Sequence, residues 1–152
     1  MLTGKLLLHA SCMVLALLTC SEGHANEFKV LTRAEPVVRM VLQEANNEPF
    51  AGMVAVAGVA LDRVQDPRWP DTKKDVIYQR HQFTGMSVRF RNYRRDQITR
   101  ARIAVATAEV GVRPCGTVLY YHHEDVKPEW DYTKIEVACQ LGEHVFYRDK
   151  EN

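Results

Sequence analysis

Between Phe50 and Val64 the chain runs Ala51-Gly52-Met53-Val54-Ala55-Val56-Ala57-Gly58-Val59-Ala60-Leu61, apolar at nearly every position and small at several. A surface helix carries one apolar stripe, so a segment that is apolar all round must be enclosed by other elements. The run predicts a central helix packed on most sides. Whatever fold the chain adopts is built around it.

The neighbouring segments supply the partners. Val37, Val38, Val41 and Ala45 recur at helical spacing with Arg39 and Gln43 among them, which predicts an amphipathic helix over 34–45. Asn46-Asn47-Glu48-Pro49 ends it, because a residue before proline is pushed out of the helical region and asparagine favours turns. Two prolines make Asp66-Pro67-Arg68-Trp69-Pro70-Asp71 a loop, and Asp71 or Thr72 is placed to cap a short helix through Asp75-Val76-Ile77-Tyr78. Residues 79–91 show no clear period. Ile98, Ala101, Ala104, Val105 and Ala108 line one side of a helix expected over 94–110, with Gly111 as its terminator. Thr117-Val118-Leu119-Tyr120-Tyr121-His122 and His144-Val145-Phe146-Tyr147 read as short strands. The expected class is α+β, mainly helical, with a small antiparallel sheet.

The first 25 residues form a separate segment. Lys5 and the amino terminus are weakly positive, Met13 to Leu18 is apolar, and Gly23-His24-Ala25 places small residues at a cleavage position. This is the layout of a secretory signal peptide, with cleavage expected after Ala25 and residues 26–152 as one exported domain. An uncleaved signal anchor and lipidation at Cys20 remain as alternatives, and only these would bring the protein to a membrane. Export implies the periplasm or the exterior. There Cys115 and Cys139, the two cysteines outside the signal, read as a disulfide, with two buried thiols as the alternative.

Charge narrows the function. Twenty Lys and Arg against 19 Asp and Glu exclude a globally basic nucleic-acid binder. Arg89, Arg91, Arg94, Arg95, Arg100 and Arg102 are the strongest local bias, readable as a hold on an anionic polymer or as a solvated helix face. No Gly-x-Ser-x-Gly elbow, phosphate loop or His-Glu-x-x-His helix is present, which removes the best-marked serine hydrolases, nucleotide enzymes and zincins. His122, His123 and His144 lie close in sequence, but neither cysteine has a partner at Cys-x-x-Cys spacing, so no metal or cofactor is expected. Glu44 and Glu48 sit at the end of the first helix. A glutamate there, desolvated beside a very apolar helix, suits a general acid; a solvated surface glutamate is the other reading. Trp69, Phe83, Tyr120, Tyr121, Trp130 and Phe146 are flat rings suited to stacking on sugars or to filling a core.

Taken in order, Glu44-Ala45, Phe50, Gly52-Met53-Val54-Ala55-Val56-Ala57, Leu61-Asp62-Arg63-Val64, Pro70, Val76-Ile77-Tyr78-Gln79, Gln82-Phe83-Thr84, Gly116-x-x-Leu119-Tyr120-Tyr121-His122, Pro128-x-Trp130 and Gly142-x-His144-Val145-Phe146-Tyr147 resemble the blocks of the SleB/CwlJ cell wall hydrolases. The resemblance covers about 37–148. It implies a lysozyme-like domain acting on peptidoglycan glycan strands, with Glu44 as catalytic acid. In lytic transglycosylases, which the family resembles, one acid suffices because the muramyl C6 hydroxyl is the nucleophile. A hydrolase needs a second carboxylate, for which Glu48 and Asp62 are the candidates. The matched blocks assign Gln82, Tyr120, Tyr121 and His122 to substrate positioning and Phe83 and Trp130 to stacking. Arg63 is expected in a structural ion pair and His144 as a brace for the last strand. The chain departs from the family at Asn46-Asn47, where Arg-Gly is common, and at Asp62, where Asn precedes the arginine. Two other functions stay open: a zinc-dependent amidase cutting the muramyl–alanine bond, and a non-catalytic peptidoglycan-binding or activating module.

Overall fold

The computed structural model describes residues 35–83, 86 and 93–151. The expected signal segment with Cys12 and Cys20, and Arg89 and Arg91 of the arginine cluster, lie outside the described residues. The elements in chain order are α1 (Pro36–Ala45), α2 (Phe50–Gln65), α3 (Lys73–Tyr78), α4 (Arg95–Glu109), β1 (Tyr120–His123), β2 (Ile135–Leu141) and β3 (His144–Asp149). They confirm the mainly helical α+β class. None of these helices is long and apolar enough to cross a membrane.

The enclosure predicted for the apolar run is complete: every residue of α2 from Gly52 to Arg63 is buried. It packs against α1, α3 and α4 and touches β1. Fully buried Val54, Val56 and Val59 each contribute roughly 1.5–3 kcal/mol relative to exposure. That outweighs the cost of about 1 kcal/mol for each of the two glycines inside the helix. The glycines make room. A Cβ at Gly58 would lie 3.2 Å from Cδ of Arg113, and one at Gly52 would lie 3.3 Å from Cβ of Glu48.

Local signals act as expected at the helix ends. Thr72 caps α3 by accepting from the Asp75 amide at 3.1 Å. Past α4, the amides of Gly111 and Val112 donate to Ala108 and Thr107 carbonyls, a paired closure that needs the left-handed φ of 92° at Gly111. The apolar stripe of α4 is buried at the five positions anticipated.

The sheet is antiparallel in the order β1-β3-β2. β2 is not among the strands expected from the sequence, although Ile135, Val137, Cys139 and Leu141 alternate with other residues. Its register shifts between Val137 and Cys139, and Val137 is 57% exposed, so the alternation does not map onto one buried face. Gly142, at φ 59°, opens the two-residue turn from β2 to β3. The Cys115–Cys139 disulfide joins the loop ahead of β1 to β2, with Cα atoms 5.5 Å apart. It therefore ties β2 to the chain just ahead of β1. Closing this loop of about 25 residues contributes roughly 3 kcal/mol in the chain-entropy model.

Candidate active site

Glu44 stands in the last turn of α1, where Asn46, Asn47 and Pro49 stop the helix, so it is half-buried at an end rather than on a continuous helical face. The residue that meets it comes from β1. The Tyr121 hydroxyl donates to Glu44 Oε2 at 3.3 Å. Burial, and then the charge of Glu44, hold the Tyr121 hydroxyl well above its ordinary pKa, so it remains a donor. The Tyr121 ring lies against Phe146 at 5.7 Å, edge-on to His144 at 5.1 Å, and 6.4 Å from Phe83.

Arg63, from the end of α2, forms the next part. It donates through Nε to the Leu119 carbonyl at 2.8 Å and through Nη1 to Gln82 Oε1 at 3.1 Å. Its guanidinium sits over the Trp69 ring at 4.0 Å and 5.2 Å from Phe83. Burial lowers its pKa to about 10, so it remains a cation at neutral pH. Arg63 thus fixes the entry to β1 and holds Gln82 beside Phe83. The expected ion pair falls one residue earlier: Arg113 Nε donates to Asp62 Oδ1 at 2.7 Å, and the Val118 amide donates to Asp62 Oδ2 at 3.2 Å.

Alternation along β1 separates the remaining candidates. Tyr121 pairs with Phe146 and His123 with His144 on one face; Tyr120 pairs with Tyr147 and His122 with Val145 on the other. Tyr120, His122 and Trp130 therefore gather with Tyr147, away from Tyr121. Trp130 is 5.9 Å from Tyr120, 5.6 Å from His122 and 5.7 Å from Tyr147. His122 Nε2 and the Tyr147 hydroxyl are hydrogen-bonded at 2.9 Å. The two groups meet at Trp69, whose ring lies 6.3 Å from Tyr120 and beneath Arg63.

Glu48 is 6% exposed and faces the β2–β3 turn. Its Oε2 accepts from the Glu143 amide at 3.0 Å, and its own carbonyl accepts from Arg100 Nη2 at 3.0 Å. His144 Nδ1 lies 3.6 Å from Glu48 Oε1, beyond a good hydrogen bond. Burial lowers the His144 pKa more than the nearby Glu48 raises it, so the ring is neutral. His144 is buried at the start of β3, with its ring against those of Tyr121, His123 and Phe146. No group of three or more His, Cys, Asp or Glu is arranged to hold a metal ion among the described residues.

Three helices packed around the apolar α2, with a glutamate at one helix end met by a tyrosine from a three-stranded sheet, define a mainly helical α+β domain among the described residues. The same architecture is found in the crystallised SleB catalytic domain of Bacillus cereus (TM-score 0.62, 31% identity), which matches 74% of this chain and 86% of that one. It is found again in the catalytic domain of the germination-specific lytic transglycosylase SleB from Bacillus anthracis (TM-score 0.62, 30% identity), with 76% and 96% covered. The sequence profile described as Cell Wall Hydrolase matches residues 47–147. The chain belongs to this cell wall hydrolase family. The spore cortex-lytic enzyme of Oceanobacillus iheyensis is 36% identical over 112 residues, covering 70% of this chain. The match spans 38% of that relative's length.

Sequence reasoning missed the roles of Arg63 and Trp69 as a stacked pair, and of Arg113 and Arg100 as clamps on Asp62 and Glu48. Their partners lie 6 to 56 positions away in the chain, so no local spacing carries the signal.

Proposed function

We propose that this domain, exported to the cell envelope, cleaves the glycosidic bond between N-acetylmuramic acid and N-acetylglucosamine in peptidoglycan, acting as a lytic transglycosylase with Glu44 as acid and base. The observation that carries this reading is that the half-buried Glu44 is met by the Tyr121 hydroxyl, while Glu48 and Asp62 are buried against partners of their own. A mechanism needing one carboxylate fits that arrangement better than one needing two. The names of the relatives, a cortex-lytic enzyme and a lytic transglycosylase, agree with it.

Glu44, protonated, gives its proton to the glycosidic oxygen as the C1–O bond breaks. The muramyl C6 hydroxyl attacks C1, and its proton returns to the Glu44 carboxylate. The products are a 1,6-anhydromuramyl end and a free N-acetylglucosamine hydroxyl, with no water consumed. Tyr121 steadies the carboxylate between the two transfers. Gln82 positions the muramyl ring, and Tyr120, His122 and Trp130 take sugars farther along the strand; Phe83, expected to stack on a sugar, is buried against Tyr121 and Arg63 and supports the site from within.

Digestion of purified peptidoglycan, with the soluble products weighed by mass spectrometry, tests the proposal. Anhydromuropeptides are expected from the wild type, and Glu44→Gln is expected to lose roughly 10²- to 10⁴-fold in rate, the range for a general acid. Reducing-end muropeptides would indicate hydrolysis, chelator-sensitive release of stem peptides an amidase, and binding without products a non-catalytic module.

A further inference from the structure

The two glutamates of the Glu44-Ala45-Asn46-Asn47-Glu48 block stand at opposite ends of one chain of contacts. Glu44 accepts from Tyr121; the Tyr121 ring rests edge-on against His144; His144 opens β3 directly after the turn whose Glu143 amide donates to Glu48. The turn cannot move off Glu48 without opening this chain. Gly142 is pressed so close to the Glu48 carboxylate and to Pro49 that a Cβ there would collide with both. Gly52, beneath Glu48, leaves room for its side chain, and Arg100 holds the Glu48 carbonyl from α4. A nearly buried glutamate held from two elements, one carboxylate oxygen on a turn amide and its carbonyl on Arg100 of α4, is built to hold backbone in place. At 6% exposure it offers almost no surface to a sugar.

We propose that Glu48 is a positioning residue for Glu44. It acts through the β2–β3 turn, His144 and Tyr121, and it never contacts the substrate. Its carboxylate sets the height of β3 against β1, and β3 carries the two rings, His144 and Phe146, that wall in Tyr121. This inference rests on Glu44 being the acid. Charge is not required for the task. A glutamine at position 48 would keep an oxygen on the Glu143 amide, and its amide nitrogen could donate to His144 Nδ1, a buried atom with no hydrogen-bond partner.

The test uses the full chain, with kcat and KM measured on peptidoglycan and folding followed by circular dichroism. Glu48→Gln should keep kcat within about threefold of wild type, since the hydrogen bond is retained. Glu48→Ala should lower kcat by about 10- to 100-fold with KM little changed, the scale of a small misplacement of a reacting group. The same substitution in a Tyr121→Phe background should add almost nothing, because both act on Glu44 along one path. If Glu48→Ala does not fold, Glu48→Asp takes its place in the cycle, withdrawing the oxygens by one methylene. An inactive, folded Glu48→Gln beside an inactive Glu44→Gln would overturn the inference alone and make Glu48 a second catalytic carboxylate. Losses that add in the double variant would reduce Glu48 to general support, and an unchanged kcat in folded Glu48→Ala would also overturn the proposal. Full activity in Glu44→Gln would overturn the acid assignment and this inference with it.

Discussion

The two faces of β1 and β3 have almost the same composition and different tasks. One carries Tyr121, His123, His144 and Phe146; the other carries Tyr120, His122, Val145 and Tyr147. Phe146 is fully buried, and on the first face its neighbour Tyr121 has its hydroxyl committed to Glu44. On the second face Tyr120 donates to Asp149 at the sheet's end, and the half-buried Trp130 leans across the rings from a loop. Adjacent tyrosines thus differ because the strand turns them 180° apart and only one side meets the helices. The chemistry of a side chain here is set by what stands opposite it.

The largest expected effect strikes both faces together. Asp62 binds Arg113 and the Val118 amide just ahead of β1, so Asp62→Ala leaves a part-buried guanidinium and an amide without their acceptor. Chemical denaturation should show a loss of about 3 kcal/mol, the low end for breaking a buried pair because Arg113 is 21% exposed. Next comes a substitution that separates the faces. Tyr121→Phe should lower kcat by roughly 10-fold or more with stability nearly intact, whereas Tyr120→Phe, one residue away, should leave kcat within about twofold. Equal losses would erase the distinction. A smaller effect should mark the second face as a holding surface: Trp130→Ala should raise KM by about fivefold to 10-fold at unchanged kcat, the pattern for lost uniform binding. Titration supplies the smallest. His144 has a folded pKa below its ordinary 6.5 because of burial, so its contribution is full above pH 6.5 and is lost as the pH falls through the lowered value. Denaturation midpoints should therefore drop on acidification below about pH 6.5, and His144→Gln should flatten that slope.

Much of this molecule was written in local pattern. The apolar run fixed α2 as the axis, the spacing of Val37, Val41 and Ala45 gave α1, and Thr72, Pro49 and Gly111 marked ends where the structure has them. These are short-range effects: φ restriction, capping and the 3.6-residue period act within one turn of chain. The second strand escaped because its burial follows a bulge rather than its alternation. At the site, the resemblance pointed to Glu44, Tyr121 and Phe83, which form one run of contacts, to Gln82, which Arg63 holds, and to Tyr120, His122 and Trp130, which the fold sets on the far face. Nothing in the sequence distinguishes Tyr120 from Tyr121 until the sheet is paired.

The sequence by itself determined which segments are helical, which one lies innermost, and which family the ordered blocks resemble, because those properties depend on neighbours within a few residues. Only the tertiary structure decided that Arg63 stacks on Trp69 instead of pairing with an acid, and that Asp62 takes Arg113 from 51 positions away. It alone placed Glu48 on the β2–β3 turn, 95 positions along the chain. Such choices are made by burial. A polar group removed from water must find a partner wherever the packed elements bring one, and sequence distance has no part in that selection.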